Sequence, residues 1–203
     1  DSDPAVPVAA VTGSTDGFAI GLEKALGEKA RIGLAIDYGK SRYRVVDPAF
    51  PESLDQSLTQ IAAYGGWRSG GFSLAASAAY GFGNAKTIVA TPTGDARAKR
   101  DVSAWSLAAE ARYAVPLGEG EIGAAAGVRH TGAKLNAFTE TGGSTPLVGM
   151  EKTVSRTRGY VGIDASVPIS VAPNTRATPR LYARGAHDWG NAAGRADVVF
   201  ASA

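Results

Sequence analysis

The sequence predicts an all-β fold, an antiparallel up-and-down transmembrane β-barrel, on three observations. Apolar and small or polar residues alternate with a period of two through segments of about ten residues, the length that a tilted strand needs to cross a bilayer. Short turns alternate with long polar connections. Glycine is abundant, with 26 copies in 203 residues, and falls repeatedly opposite the apolar positions. About eight strands are expected, between a leading segment over residues 1–16 and the end of the barrel region 17–203.

The strands follow in order. In the first, Phe18, Ile20, Leu22 and Leu26 alternate with Gly17, Ala19, Gly21, Glu23 and Ala25. In the second, Ile32, Leu34, Ile36 and Tyr38 alternate with Gly33, Ala35, Asp37 and Gly39. The third sets Ile61, Ala63, Gly65 and Trp67 against Gln60, Ala62, Tyr64, Gly66 and Arg68. Residues 72–82 carry Phe72, Leu74, Ala76, Ala78, Tyr80 and Phe82 on one face, with Ser, Ala and Gly on the other. The fifth sets Trp105, Leu107, Ala109, Ala111, Tyr113 and Val115 against Ser106, Ala108, Glu110, Arg112 and Ala114. Residues 122–130, 161–167 and 181–189 follow more loosely, with Arg129, Asp164, Arg184 and Asp188 on the polar face. Arg158 and Arg180, at the margins of these segments, are assigned to the same face.

A soluble barrel or propeller would turn its apolar face inward. Aromatics at both ends of the apolar segments, with aliphatics between, fit instead the two girdles of a membrane barrel. Phe18, Tyr38, Trp67, Phe72, Tyr80, Phe82, Trp105, Tyr113 and Trp189 are the expected interface aromatics. Glu23, Asp37, Tyr64, Arg68, Glu110, Arg112, Arg129, Arg158, Asp164, Arg180, Arg184 and Asp188 are expected to line a wet lumen. An Arg or Lys facing lipid at mid-bilayer would cost about 2–4 kcal/mol.

Composition narrows the class. Lys plus Arg is 21 and Asp plus Glu is 19, a formal charge of +2, so no polybasic signature points to nucleic acid. With no cysteine there is neither a disulfide framework nor a thiolate zinc site. No apolar run approaches the ~18 residues of a membrane helix. Residues 27–30, 69–71 and 118–121 read as tight turns, and 171–177, with Pro173 and Asn174, as a longer one. Residues 42–57, 83–101 and 132–155 read as long loops, expected on the extracellular side. An even strand count then leaves both ends on that side, so at least one strand is expected to be missing before residue 17 and an odd number after Ala203.

Three stretches carry a family resemblance: residues 64–72 (YGGWRSGGF) with Ala79-Tyr80-Gly81; Gly127-Val128-Arg129-His130-Thr131 with Phe138-Thr139-Glu140-Thr141-Gly142; and residues 181–190, ending His187-Asp188-Trp189-Gly190. Together they resemble the C-terminal β-domain of bacterial autotransporters (type V secretion), in family order over about residues 13–203. The resemblance implies a barrel of about twelve strands. It also implies a place in the outer membrane of a Gram-negative bacterium, anchoring and export of an N-terminal passenger polypeptide of the same chain, and assembly by the barrel-assembly machinery. His130 stands where the family has tyrosine, and Gly185 where tryptophan is common. Residues 1–13, with Pro4 and Pro7, do not read as the family's pore-threading helix, so no cleavage residues are carried over.

Other chemistry is thinly supported. Residues 118–123 match G-x-G-x-x-G, but a strand pattern follows where a dinucleotide site needs a helix. His130 and His187 fall on lipid-facing positions, where some outer-membrane lipid hydrolases place a catalytic histidine; Thr131 and Ser155 are the nearest hydroxyls to His130 in sequence. Asp47, Glu52 and Asp55 are too dispersed for a calcium loop, and no cofactor or metal site is expected. The alternatives to a translocator are a porin-like or adhesive barrel and, further off, a lipid hydrolase.

Overall fold

The computed structural model describes residues 10–46, 51–143, 146–172, 175–190 and 198–200. Asp47, Pro173 and Asn174 lie outside the described residues. No helix among the described residues is long and apolar enough to cross a membrane.

Among the described residues thirteen strands follow one another: β1 (Ala10–Leu26), β2 (Ala30–Val46), β3 (Glu52–Ser69), β4 (Phe72–Thr91), β5 (Gly94–Leu117), β6 (Gly120–Leu135), β7 (Phe138–Thr139), β8 (Leu147–Gly149), β9 (Lys152–Ser166), β10 (Ile169–Ala172), β11 (Thr175–Ala177), β12 (Arg180–Gly190) and β13 (Val198–Phe200). Eight of them form one sheet in the order β1-β2-β3-β4-β5-β6-β9-β12, each pair antiparallel. Every sequence-expected strand is one of these eight. The sheet is open: among the described residues β1 and β12 stand at its two edges and do not pair with each other.

The long polar connections are in large part strand, although residues 140–143 and 146 within the expected loop 132–155 belong to no strand. β5 alone has 24 residues, about 80 Å at ~3.3 Å per residue, far more than the ~10 residues that a crossing needs. Of the expected loop 42–57, residues 42–46 belong to β2 and 52–57 to β3, so Glu52 and Asp55 are strand residues. Of 83–101, only residues 92–93 lie between β4 and β5. Residues 10–16, expected in the leading segment, are the first part of β1. Alternation was read only where the aromatic-bearing face was apolar enough to show it; in the β5 extension that face turns polar, with Asp95, Arg97, Lys99, Asp101 and Ser103, while Ala96, Ala98 and Val102 stand on the opposite face.

The three-stranded set β13-β8-β7 is a continuation of the same wall. In β6–β9 Leu135 opposes Lys152, and in β7–β8 Phe138 opposes Gly149. Three steps forward on one strand match three back on the other, so the hairpin resumes in register after residues 136–137. From the pair Gly190 and Arg156 to the pair Val198 and Gly149 the steps are eight and seven, a one-residue offset. At the opposite end the turns are short. Residues 118–119 join β5 to β6, with Gly118 at a φ of 62° that L side chains rarely adopt. That turn accounts for the G-x-G-x-x-G match. At this end β10 and β11 form a small hairpin of their own.

Candidate functional site: the polar face of the sheet

Register determines which residues share a face, because side chains on directly opposed residues point the same way. One row across the whole sheet reads Glu23, Gly33, Tyr64, Ser77, Ala108, Arg129, Arg158, Asp188. Stepping by two along each strand from this row reaches Asp37, Arg68, Glu110, Arg112, Asp164, Arg180 and Arg184. All twelve polar residues singled out in the sequence therefore share one face.

The nine aromatics occupy the other face. Phe18 pairs with Tyr38, their ring centroids 6.1 Å apart, and Tyr80 pairs with Trp105, toward the long-hairpin end. Trp67 and Phe72, 6.0 Å apart, and Tyr113 sit toward the short turns. The row of Tyr80 and Trp105 continues through Ile61, Ile36 and Ile20, and between the two aromatic sets lies the row of Leu22, Leu34, Ala63, Ala78 and Leu107. Nothing covers these side chains: Leu22 is 82% and Leu181 80% exposed. From Phe72 to Phe82 the strand rises about 33 Å, or ~25 Å along the normal at a ~40° tilt, the height of an outer-membrane apolar band.

The polar face is knitted across strands. The Arg112 guanidinium donates to Asp164 from Nε at 2.9 Å and from Nη2 at 2.6 Å, and to Glu121 at 2.8 Å. Arg180 reaches the same carboxylate from β12 at 2.8 Å. Asp188 accepts from Arg158 at 2.7 and 2.9 Å, and also from Arg156. Glu110 accepts from the Tyr160 hydroxyl and lies 3.6 Å from Arg184, whose guanidinium sits 5.0 Å from the centre of the Tyr160 ring. Glu110 and Arg184 are three strand spacings apart, about 14 Å on a flat sheet. Their contact makes the polar face the concave one.

Glycine opens the lanes for these contacts. A Cβ at Gly127 would collide with the Tyr160 ring, one at Gly33 with the Tyr64 ring, and one at Gly123 with the Arg112 guanidinium. Each of these bulky groups lies over the bare backbone of a neighbouring strand, which lets Tyr160 and Arg112 reach past β6 to partners two strands away.

Sequence reading missed four members of the network. Tyr160 and Arg156 lay outside the expected strand 161–167, and Glu121 was assigned to a turn. Arg31, 3.7 Å from Glu23, lay just before the expected second strand. Extending the alternation one residue past the apolar segments would have found Tyr160, Glu121 and Arg31, and carrying it five residues before Val161 would have found Arg156.

Neither histidine faces this network. His130 Nδ1 lies 2.9 Å from the Thr157 hydroxyl on the aromatic-bearing face. Thr131 points to the polar face, and Ser155 stands opposite Gly132. No carboxylate hydrogen-bonds His130 among the described residues. His187 stacks edge-on against Trp189 at 4.7 Å.

Comparison with known proteins then bears on this geometry. The translocator domain of the autotransporter NalP from Neisseria meningitidis is similar to the chain with a TM-score of 0.65 and 21% identity, over 93% of this chain and 63% of that one. The β domain of the Bordetella autotransporter BrkA is similar with a TM-score of 0.64 and 15% identity, over 90% of this chain and 73% of that one. At these identities the likeness is one of fold, and the chain spans less than two thirds of the NalP domain. No curated protein sequence matches the chain. The profile described as Autotransporter beta-domain matches residues 3–203, and with that match over an open, two-faced antiparallel sheet the chain belongs to the autotransporter β-domain family.

Proposed function

We propose that the chain forms much of the wall of an outer-membrane pore that anchors a passenger polypeptide of the same protein and helps carry it to the cell surface. One observation carries the reading: twelve charged or polar residues share the concave face of a sheet whose other face is aromatic-rimmed and apolar. Lipid takes the apolar face, and the polar face lines an aqueous lumen. Backbone groups at the β1 and β12 edges must find partners in hydrocarbon, so further strands close the barrel between them. The short turns face the periplasm and the long hairpins the cell exterior, in the outer membrane of a Gram-negative bacterium. The barrel-assembly machinery inserts it. The wall supplies a conduit; among the described residues His130 with Thr157 has no carboxylate to orient the ring, which argues against a lipid hydrolase.

The test is surface display. The full-length protein, with an epitope tag at the N-terminal end of its passenger, is expressed in a Gram-negative host and intact cells are treated with protease. Loss of the tag while a folded barrel remains in the outer-membrane fraction is the expected result. A folded barrel whose tag stays protected in the periplasm overturns the export reading and leaves a porin-like or adhesive barrel.

A further inference from the structure

On the polar face of β6, β9 and β12 lies a cavity of about 500 Å³ lined by Arg129, Arg156, Arg158, Arg184, Thr131, Tyr160 and Ala186. Arg129 and Arg158 stand directly opposite each other in the β6–β9 ladder, an arrangement that like charges disfavour. The carboxylates nearby are already engaged: Asp188 by Arg156 and Arg158, Glu110 by Tyr160 and Arg184. Arg129 holds no carboxylate among the described residues. Three guanidiniums thus share two carboxylates while Arg129 has none among the described residues, and a planar fork of donors suits an oxyanion.

We propose that this cavity is an oxyanion site for carboxylate side chains of a polypeptide passing through the lumen, an inference that rests on the lumen reading above. The spacing favours a peptide over a free anion. The charged heads gather on two carboxylates in rows two residues, or about 6.6 Å, apart: Asp188, opposite Arg158, holds Arg156 and Arg158, and Glu110, in the row of Tyr160 and Ala186, holds Arg184. An extended chain presents alternate side chains at that same ~6.6 Å interval. Acidic residues at alternate positions would meet the arginines in turn, whereas one phosphate could satisfy only one end of the cavity.

Calorimetry on the full-length protein, refolded in detergent, tests the site without requiring export. The probes are an extended peptide with glutamate at alternate positions, its glutamine and lysine counterparts, and inorganic phosphate. The glutamate peptide is expected to bind at least about tenfold more tightly than the other three. Arg129→Gln, which removes no ion pair seen in the wall, is expected to weaken that binding by about tenfold, Arg129→Glu further, and Arg42→Gln on the other face not at all. Arg129→Lys, which keeps the charge and loses the fork, serves as the second variant should Arg129→Gln not fold, and is expected to fall between wild type and Arg129→Gln. Equal binding of the glutamate and glutamine peptides, or binding indifferent to Arg129, overturns the site. Tighter binding of phosphate than of peptide overturns the polypeptide as its ligand. A protein that displays its passenger yet fails these tests loses the site and keeps the export function; one that binds the peptide yet displays nothing loses the export function.

Discussion

Asp164 is the buried charge of the described wall, 7% exposed, and two arginines converge on it, Arg180 from the adjacent β12 and Arg112 from β5, two strands away. A carboxylate so placed is stable because both guanidiniums hydrogen-bond to it; removing its charge leaves them facing each other in a poorly hydrated corner. Asp164→Asn keeps the shape and is expected to lower the unfolding free energy by about 2–4 kcal/mol, read as a shift in the urea midpoint of the full-length barrel in detergent. Unchanged stability would mean that water already solvates Arg112 and Arg180. At this scale the pairing was not legible in the sequence, because Arg112 and Asp164 lie 52 positions apart. What it did display was the glycine at position 123, small where a side chain would have blocked the reach.

Along a single strand, function reduces to parity. In β5, Leu107 faces the aromatic-bearing side and Ser106 the polar side. Leu107→Arg is expected to cost about 2–4 kcal/mol because it puts a cation into lipid, whereas Ser106→Arg should stay within about 1 kcal/mol; folding efficiency into vesicles, read by heat-modifiable migration on gels, reports both. Similar penalties for the two would refute the assignment of faces. Most of this was legible beforehand, since a period of two needs no tertiary information. Strand length was not, because β5 runs on from residue 104 back to Gly94 through a stretch whose aromatic-bearing side carries Asp95, Arg97, Lys99, Asp101 and Ser103.

For the molecule as a whole, the two faces must see different solvents. Single cysteines placed along β4 of the full-length barrel in membranes should react with a hydrophilic maleimide in alternation: Ser77→Cys and Ser73→Cys labelled, Ala78→Cys and Leu74→Cys protected. Uniform labelling would show that the apolar face is not in lipid. The open edges add a second demand at this scale. β1 and β12 each present a row of backbone donors and acceptors, and hydrocarbon tolerates such rows only when they are paired.

By itself the sequence determined the element type, the number of wall strands, the face of every residue singled out and the ends that carry short turns. All of these follow from local periodicity and turn chemistry, which act over a few residues. Only the tertiary structure decided that the polar connections are in large part strand extensions, that β7, β8 and β13 resume the main ladders, and that Glu110, Tyr160 and Arg184 meet across a concave face. Register and curvature couple residues far apart in the chain, and no local pattern encodes a contact made by reaching over a glycine on the strand between.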